Sequence, residues 1–243
     1  PALDGTKKVL EALKADGEII DHCLVGEPTS VDDIGDTVKN GRRGSLNCII
    51  TVEGRQGHAA YPEQNNNPVS ALLDLLGALR GRVLDDGAPG FGRSNLEVTT
   101  LDVGNPAHNV VPARAAAKLN IRFNTAHSGE DLKLWIDSEA AQVAQKRGVV
   151  IETRTQITGY PFITPAGDFT ALVQNAVREA TGAAAELSTS GGTSDARFIK
   201  DVCPVIELGL QNATAHMVDE KVRVDDIFKL TDAYEAILKS YFA

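Results

Sequence analysis

Positive charge is in short supply in this 243-residue chain, which sets 24 Lys and Arg against 33 Asp and Glu for a formal net charge of −9. Neutralising nucleic-acid phosphates needs a basic face, and no Lys/Arg cluster supplies one. Small molecules and other proteins are the expected partners. Long apolar runs are missing too, so no segment is expected to cross a bilayer, and no charged, then apolar, then small-residue leader opens the chain. These absences make the cytoplasm the default location. Only three cysteines occur, Cys23, Cys48 and Cys203, far apart in apolar strand-like runs. An odd, scattered set predicts buried reduced thiols without a catalytic role. Methionine is present once, as Met217, and the first residue is Pro1. The sequence therefore reads as processed, trimmed or a piece of something longer.

What is there is ordinary globular material. With 42% hydrophobic and 23% charged residues the chain can bury a sizeable core. A first helix is predicted over Lys7 to Ala15, with Val9, Leu10 and Leu13 on one face and Gly17 at its end, followed by a short buried strand in "CLVGEP". Beyond Gly44 the pattern becomes strand, helix, strand, strand, helix, strand, the order of a split βαβ sandwich. Its first strand is Ser45 to Val52, and its first helix carries Val69, Leu72, Leu73, Leu76 and Leu79. The second helix starts at Ser128, with Asp131 three residues on, buries Leu132, Trp135, Ile136 and Val143, and closes at Gly148. The strand Ala117 to Phe123 alternates Leu119, Ile121 and Phe123 inward with Lys118, Asn120 and Arg122 outward. Past residue 158 come a helix over Phe169 to Ala180, a strand over Cys203 to Leu208, and a last helix striped by Ile227, Leu230, Tyr234, Ile237, Leu238 and Tyr241. The expected architecture is an α/β domain, 1–43 with 158–243, interrupted by a βαββαβ insert over 44–157.

Several residues are placed to do chemistry. Glu27 ends an apolar strand, where α/β proteins gather ligands, although a solvated loop carboxylate gives the same letters. His216 lies in the polar loop "NATAHMVDE". A carboxylate and an imidazole suit zinc, but two ligands are too few for a centre. "SGGTSDARF" offers turn amides that can bind an anion, or an ordinary helix cap with turn glycines. "GRRGS" presents Arg42 and Arg43 before the insert, and Arg42 with Arg122 could clamp carboxylates by bidentate bonds; a solvated hinge is the alternative. "NPAHNVVPAR" exposes His108 and Asn109 at a bend. His58, between Gly57 and Ala59 in "EGRQGHAAYP", is an imidazole with small neighbours at a strand exit.

Singly these motifs decide nothing. In order, "VGEPTS", "NGRRGSLN", "VEGRQGHAAYP", "HNVVPA", "IRFNT", "GGTSDARF" and "NATAHMVDE" resemble the bacterial succinyl-diaminopimelate desuccinylases, within the dinuclear-zinc aminoacylase and carboxypeptidase superfamily. The combination of "GRRGS" with "GGTSD" separates them from acetylornithine deacetylases. The resemblance implies a zinc-peptidase-like α/β catalytic domain and a ferredoxin-like lid that forms a homodimer. It implies Glu27 on one zinc and His216 on the other, two metals per complete site, with cobalt able to replace zinc. It also implies that His58 reaches across the dimer to polarise the scissile amide, and that Arg42, Ser45, Tyr61, Asn109, Arg122, Gly192, Thr193 and Asn212 hold the substrate. The implied reaction is hydrolysis of N-succinyl-L,L-diaminopimelate to succinate and L,L-diaminopimelate, a step of diaminopimelate and lysine biosynthesis. Where relatives often carry a second asparagine before Asn109, this chain has His108.

One departure bears on activity. The family's upstream His-x-Asp segment, its bridging aspartate and its Glu-Glu pair, which includes the general base, have no match here, and "PALDGTKK" corresponds to the stretch just after that pair. The chain by itself is therefore expected to be inactive. Two other readings stand beside this one: an acetylornithine deacetylase or aminoacylase with another acyl preference, and a dimerisation or binding module without chemistry.

Overall fold

The computed structural model describes residues 5–243; the part of the sequence reading that concerns Pro1 and its three successors lies outside them. The chain divides into two compact units, one formed by the described residues up to Arg43 together with Phe162–Ala243, the other by Gly44–Pro161. The first unit opens with α1 (Thr6–Ala15), β1 (Cys23–Val25), β2 (Thr37–Lys39) and β3 (Gly41–Arg42). The second unit follows with β4 (Gly44–Glu53), β5 (Gly57–His58), α2 (Pro68–Gly81), β6 (Asn95–Asp102), β7 (Val110–Val111), β8 (Arg114–Phe123), α3 (Gly129–Arg147) and β9 (Val150–Gly159). The chain then returns to the first unit through β10 (Phe162–Ile163), α4 (Asp168–Thr181), β11 (Glu186–Ser188), α5 (Ala196–Ile199), β12 (Val205–Glu207) and α6 (Val224–Tyr241).

The second unit is a ferredoxin-like sandwich. Its antiparallel sheet has the order β6-β8-β4-β9, with α2 and α3 packed on one face. Alternation along β8 buries Ala115, Ala117, Leu119, Ile121 and Phe123 against Leu72, Leu75, Leu76 and Leu79 of α2 and Leu132 and Ile136 of α3. The second helix starts where the sequence placed it: the Ser128 hydroxyl accepts from the Asp131 amide at 3.0 Å, and Gly148 ends it at φ +63°. In α2 the apolar arc runs Leu72, Leu75, Leu76, Leu79, so Leu73, expected inside, is 55% exposed. Residues 72 and 73 stand about 100° apart on a helix, and only one of them can face the sheet. The second boundary lies at Pro161 and not at 157, because β9 stays paired with β4 as far as Gly159 opposite Ser45.

The first unit holds a mixed sheet of order β1-β12-β2-β11, in which β1–β12 and β2–β11 are parallel and β12–β2 antiparallel. On one face Val38, Ile206 and Leu208 pack against Val173, Ala176 and Val177 of α4 and Ala233 and Ile237 of α6. On the other, Val205 packs with Ala196, Ile199 and Cys203. Three expectations change here. The strand β1 is half-buried and not buried, since it forms a sheet edge. The strand expected over Cys203 to Leu208 is regular only over Val205–Glu207. In α6, Ile227 and Leu238 are exposed, and Ala233 takes the contact that their bulk had suggested. Among the described residues no helix is long and apolar enough to cross a membrane.

Candidate functional site

The polar centre of the first unit grows from the pleat of β12. Ile206 faces the helices α4 and α6, so Val205 and Glu207 face the other way. Glu207 is 1% exposed and would be very costly there as a lone carboxylate. Arg42, itself 7% exposed at the end of β3, answers it. Its Nε lies 3.0 and 3.1 Å from the two carboxylate oxygens, Nη2 also donates to Oε2, and the Ser194 hydroxyl donates to Oε1. Arg42 Nη1 also donates to the Ser190 carbonyl at 3.2 Å. Gly191, at φ +102°, approaches the guanidinium so closely that a Cβ there would stand 2.5 Å from Nη1. Only glycine satisfies both the backbone angle and the contact. Beside this pair Lys39, 4% exposed, donates to the Ser188 and Ser190 hydroxyls at 3.1 and 2.7 Å. Burial first, and then the neighbouring Arg42 charge, push its ammonium pKa down.

Arg42, read from sequence as a clamp for substrate carboxylates, is thus already engaged by a protein carboxylate. The residues that engage it and its surroundings, Glu207 and Lys39, were missed. A signal for Glu207 existed, because one carboxylate inside the apolar run "PVIELGL" demands a buried partner. Gly192 and Thr193 lie exposed on the loop that Arg42 and Lys39 tie down.

Glu27 and His216 sit on loops held together by buried hydroxyls. The Ser30 hydroxyl donates to the Gly209 carbonyl at 2.7 Å, the Thr29 hydroxyl accepts from the Gly209 amide at 3.1 Å, and the Asn212 amide donates to the Ser30 carbonyl at 3.2 Å. Gly209 also lets the Glu27 carbonyl pack onto its α-carbon. Glu27 is half-buried, while the Asn212 and His216 side chains are exposed. His216 has φ +64°, a sparsely populated conformation for a residue with a side chain, and Thr214 braces the loop by exchanging two hydrogen bonds with the Lys221 backbone. Among the described residues no three His, Cys, Asp or Glu side chains gather so as to hold a metal ion. Glu27 and His216 by themselves do not fit a dinuclear centre, which needs three or more protein ligands.

In the second unit β5 pairs with β7, His58 opposite Val110, and the Ala59 amide donates to the Asn109 carbonyl at 2.9 Å. His58 is exposed and 5.5 Å from the Tyr61 ring. The Ala60 amide donates to His58 Nδ1 at 3.0 Å. An amide can only donate, so Nδ1 is the acceptor and the neutral ring carries its proton on Nε2. Gly57 is required for packing, since a Cβ there would meet Asn65 Cβ at 2.9 Å. His58, Tyr61 and Asn109 therefore form one neighbourhood, with His108 exposed on the same bend. Ser45 and Arg122 are direct cross-strand partners, and the buried Ser45 hydroxyl accepts from Asn120 at 3.2 Å. Arg42 and Arg122, paired in the sequence reading, belong to different units.

Residues 40–147 match the family described as a peptidase dimerisation domain. Succinyl-diaminopimelate desuccinylase of Caulobacter vibrioides is 58% identical over 242 residues, all of this chain and 63% of that protein; the Maricaulis maris enzyme of the same name is 59% identical and covered to 62%. The chain thus spans a little under two thirds of the length of these relatives. Among solved structures a tripeptidase from Staphylococcus aureus superposes with a TM-score of 0.80 at 17% identity, over 97% of this chain and 61% of that one. Human carnosine dipeptidase 1 superposes with a TM-score of 0.75 at 15% identity, over 98% of this chain and 63% of that one. The structural likenesses speak for the fold alone. Sequence identity along the whole chain, with the dimerisation match inside it, makes this chain a homologue of the succinyl-diaminopimelate desuccinylases, with a mixed α/β fold of the M20 peptidase type.

Proposed function

We propose that the chain serves the hydrolysis of N-succinyl-L,L-diaminopimelate to succinate and L,L-diaminopimelate, as part of a cytoplasmic protein of its relatives' length. The identity to desuccinylases over all of its residues carries this reading. The family's metal dependence belongs to that longer protein, and no step is routed through a metal, because the described residues alone gather no such centre. What the chain supplies is recognition and polarisation. His58, with its proton fixed on Nε2, donates to the oxygen of the scissile amide, where one well-placed donor contributes about 3 kcal/mol to transition-state stabilisation. Gly192, Thr193, Asn212, Ser45, Tyr61, Asn109 and Arg122 are the residues assigned to meet the substrate's polar groups. Glu27 and His216 serve as ligands only in the company of further metal-binding residues.

The inserted unit is proposed to pair two copies. Its strand β6 lies at an edge of the sheet, and Leu101 on that strand and Leu73 on α2 are more than half exposed. The test is the release of succinate, measured for this chain and for a protein of full family length. The full-length protein is expected to hydrolyse the succinyl substrate in preference to N-acetylornithine, and this chain to hydrolyse neither. Desuccinylation by this chain alone, free of any other polypeptide, overturns the claim that it lacks a working centre. A preference for the acetyl substrate favours the deacetylase alternative.

A further inference from the structure

Ser194 is buried, at 4% exposure, at the foot of a turn whose three residues, Gly191, Gly192 and Thr193, are exposed. The sequence offers it as part of a helix cap, but its hydroxyl donates to Glu207 Oε1 on β12, and the Asp195 side chain at the start of α5 makes no capping bond either. A hydroxyl given to a carboxylate makes a charge-assisted bond, stronger than the neutral kind. Four positions earlier the same buried pair takes hold again. Arg42, the partner of Glu207, donates from Nη1 to the Ser190 carbonyl at 3.2 Å, and Lys39 donates to the Ser190 hydroxyl at 2.7 Å. The exposed turn is therefore fastened at both ends to one Arg–Glu pair. Between the fastenings lie two glycines, and a Cβ at Gly192 would meet no heavy atom within 4 Å. Glycine has the most backbone freedom to lose, so a double glycine without anchors would sample many conformations.

We propose that Ser194 is a positioning residue, which through Glu207 holds the 191–193 turn in one conformation before substrate arrives. This rests on the reading above that Gly192 and Thr193 meet the substrate, and it names the side chain that fixes them. Ser194 acts from beneath the turn, because its hydroxyl is committed to Glu207. A turn ordered in advance removes the ordering penalty from binding, so loss of the tether weakens binding and leaves the chemical step alone. The Arg42–Glu207 pair survives that loss, since Nε and Nη2 of Arg42 still reach the carboxylate. A structural serine and a tether therefore differ in what removal does. Replacing a structural serine weakens the whole fold and leaves the turn as rigid as before, whereas replacing a tether frees the turn and spares the fold.

The experiment is amide NMR relaxation of this chain as wild type, Ser194→Ala and Ser194→Thr, the last of which keeps the hydroxyl. Order parameters of Gly191, Gly192 and Thr193 are expected at about 0.85, the value of rigid backbone, in wild type and Ser194→Thr, and below about 0.6 in Ser194→Ala. The thermal midpoint of Ser194→Ala is expected within a few degrees of wild type. In the protein of full family length, Ser194→Ala is expected to raise KM for the succinyl substrate about fivefold and to change kcat less than about twofold. A turn already mobile in wild type, a turn equally rigid in Ser194→Ala, or an unchanged KM in the longer protein each overturns the proposal. Loosening in Ser194→Thr equal to that in Ser194→Ala overturns it as well, by assigning the effect to packing. A Ser194→Ala chain that fails to fold does the same, since the serine is then structural. Absence of hydrolysis by the longer wild-type protein retires the desuccinylase reading alone, and the order parameters of this chain then decide the positioning.

Discussion

The Arg42–Glu207 pair shows how one substitution separates a buried charge from a surface one. Removing one partner of a pair this deeply enclosed leaves the other unanswered, so Glu207→Ala is expected to cost about 3–5 kcal/mol. The midpoint of urea unfolding reads this directly. An Arg42 free to turn to solvent would instead give a loss under about 1 kcal/mol. The thiols make an opposite case, in which burial silences a group. It raises the Cys48 and Cys203 pKa values to about 11 each. Thiol reagents at pH 8 are therefore expected to leave both unmodified until denaturant is added, and rapid labelling of the folded chain would contradict their enclosure. The burial of Cys48 and Cys203 was legible from spacing and apolar context, whereas Cys23, expected to be buried as well, is only half-buried on the edge strand. The fate of Arg42 was not legible, since its partner stands 165 positions away and no local pattern joins them.

Helix and loop boundaries followed local chemistry closely, and faces less so. Ser128 and Gly148 announce α3 because caps act within a single turn. The arc of α2 is decided by the sheet it meets, and sequence alone could not choose between Leu73 and Leu75. Leu75→Ala is expected to cost about 2–5 kcal/mol and Leu73→Ala less than about 0.5, a contrast that thermal unfolding of the two variants measures. The segment between α2 and β6 holds its shape by another device that composition concealed. Although burial pushes the Asp85 carboxyl up, hydrogen bonds from Ser94, Gly87 and Asn124 outweigh it and hold its pKa down to about 2, and His127 Nε2 donates to it at 3.2 Å. A carboxylate with a depressed folded-state pKa stabilises at pH above its unfolded value, near 4, and the benefit is lost as pH falls toward 2. About 2 kcal/mol of acid-sensitive stability is expected from this residue, absent in Asp85→Asn, as a comparison of unfolding at pH 5 and pH 2 would show.

The order of strands and helices in the inserted unit, β-α-β-β-α-β, was readable because each of its elements carries its own period. The first unit was harder to read, because its sheet is assembled from two separated stretches of chain. Its strands are three residues long, too short for alternation to declare a face. Pairing of two copies through the inserted unit is open to a direct test. Placing glutamate at both Leu73 and Leu101 is expected to yield monomers in sedimentation, with an unfolding midpoint changed by no more than a few degrees. A dimer that survives both changes would move the contact away from β6 and α2.

The pairing of β3 with β10, Arg42 opposite Phe162, has a consequence for how the molecule assembles. The two segments of the first unit meet at a two-stranded stem through which the intervening unit leaves and returns. That unit also closes on itself, since Ser45 at its beginning stands opposite Gly159 at its end. When the sandwich folds, it draws its own ends together. The first unit then has no long floppy loop to close, and most of the chain entropy opposing its discontinuous sheet has already been surrendered. The insert therefore acts as an internal splint. Splicing it out and joining Arg42 to Phe162 by a short turn should leave the outer sheet able to form, whereas lengthening the chain at Gly44 or Pro161 should slow its folding.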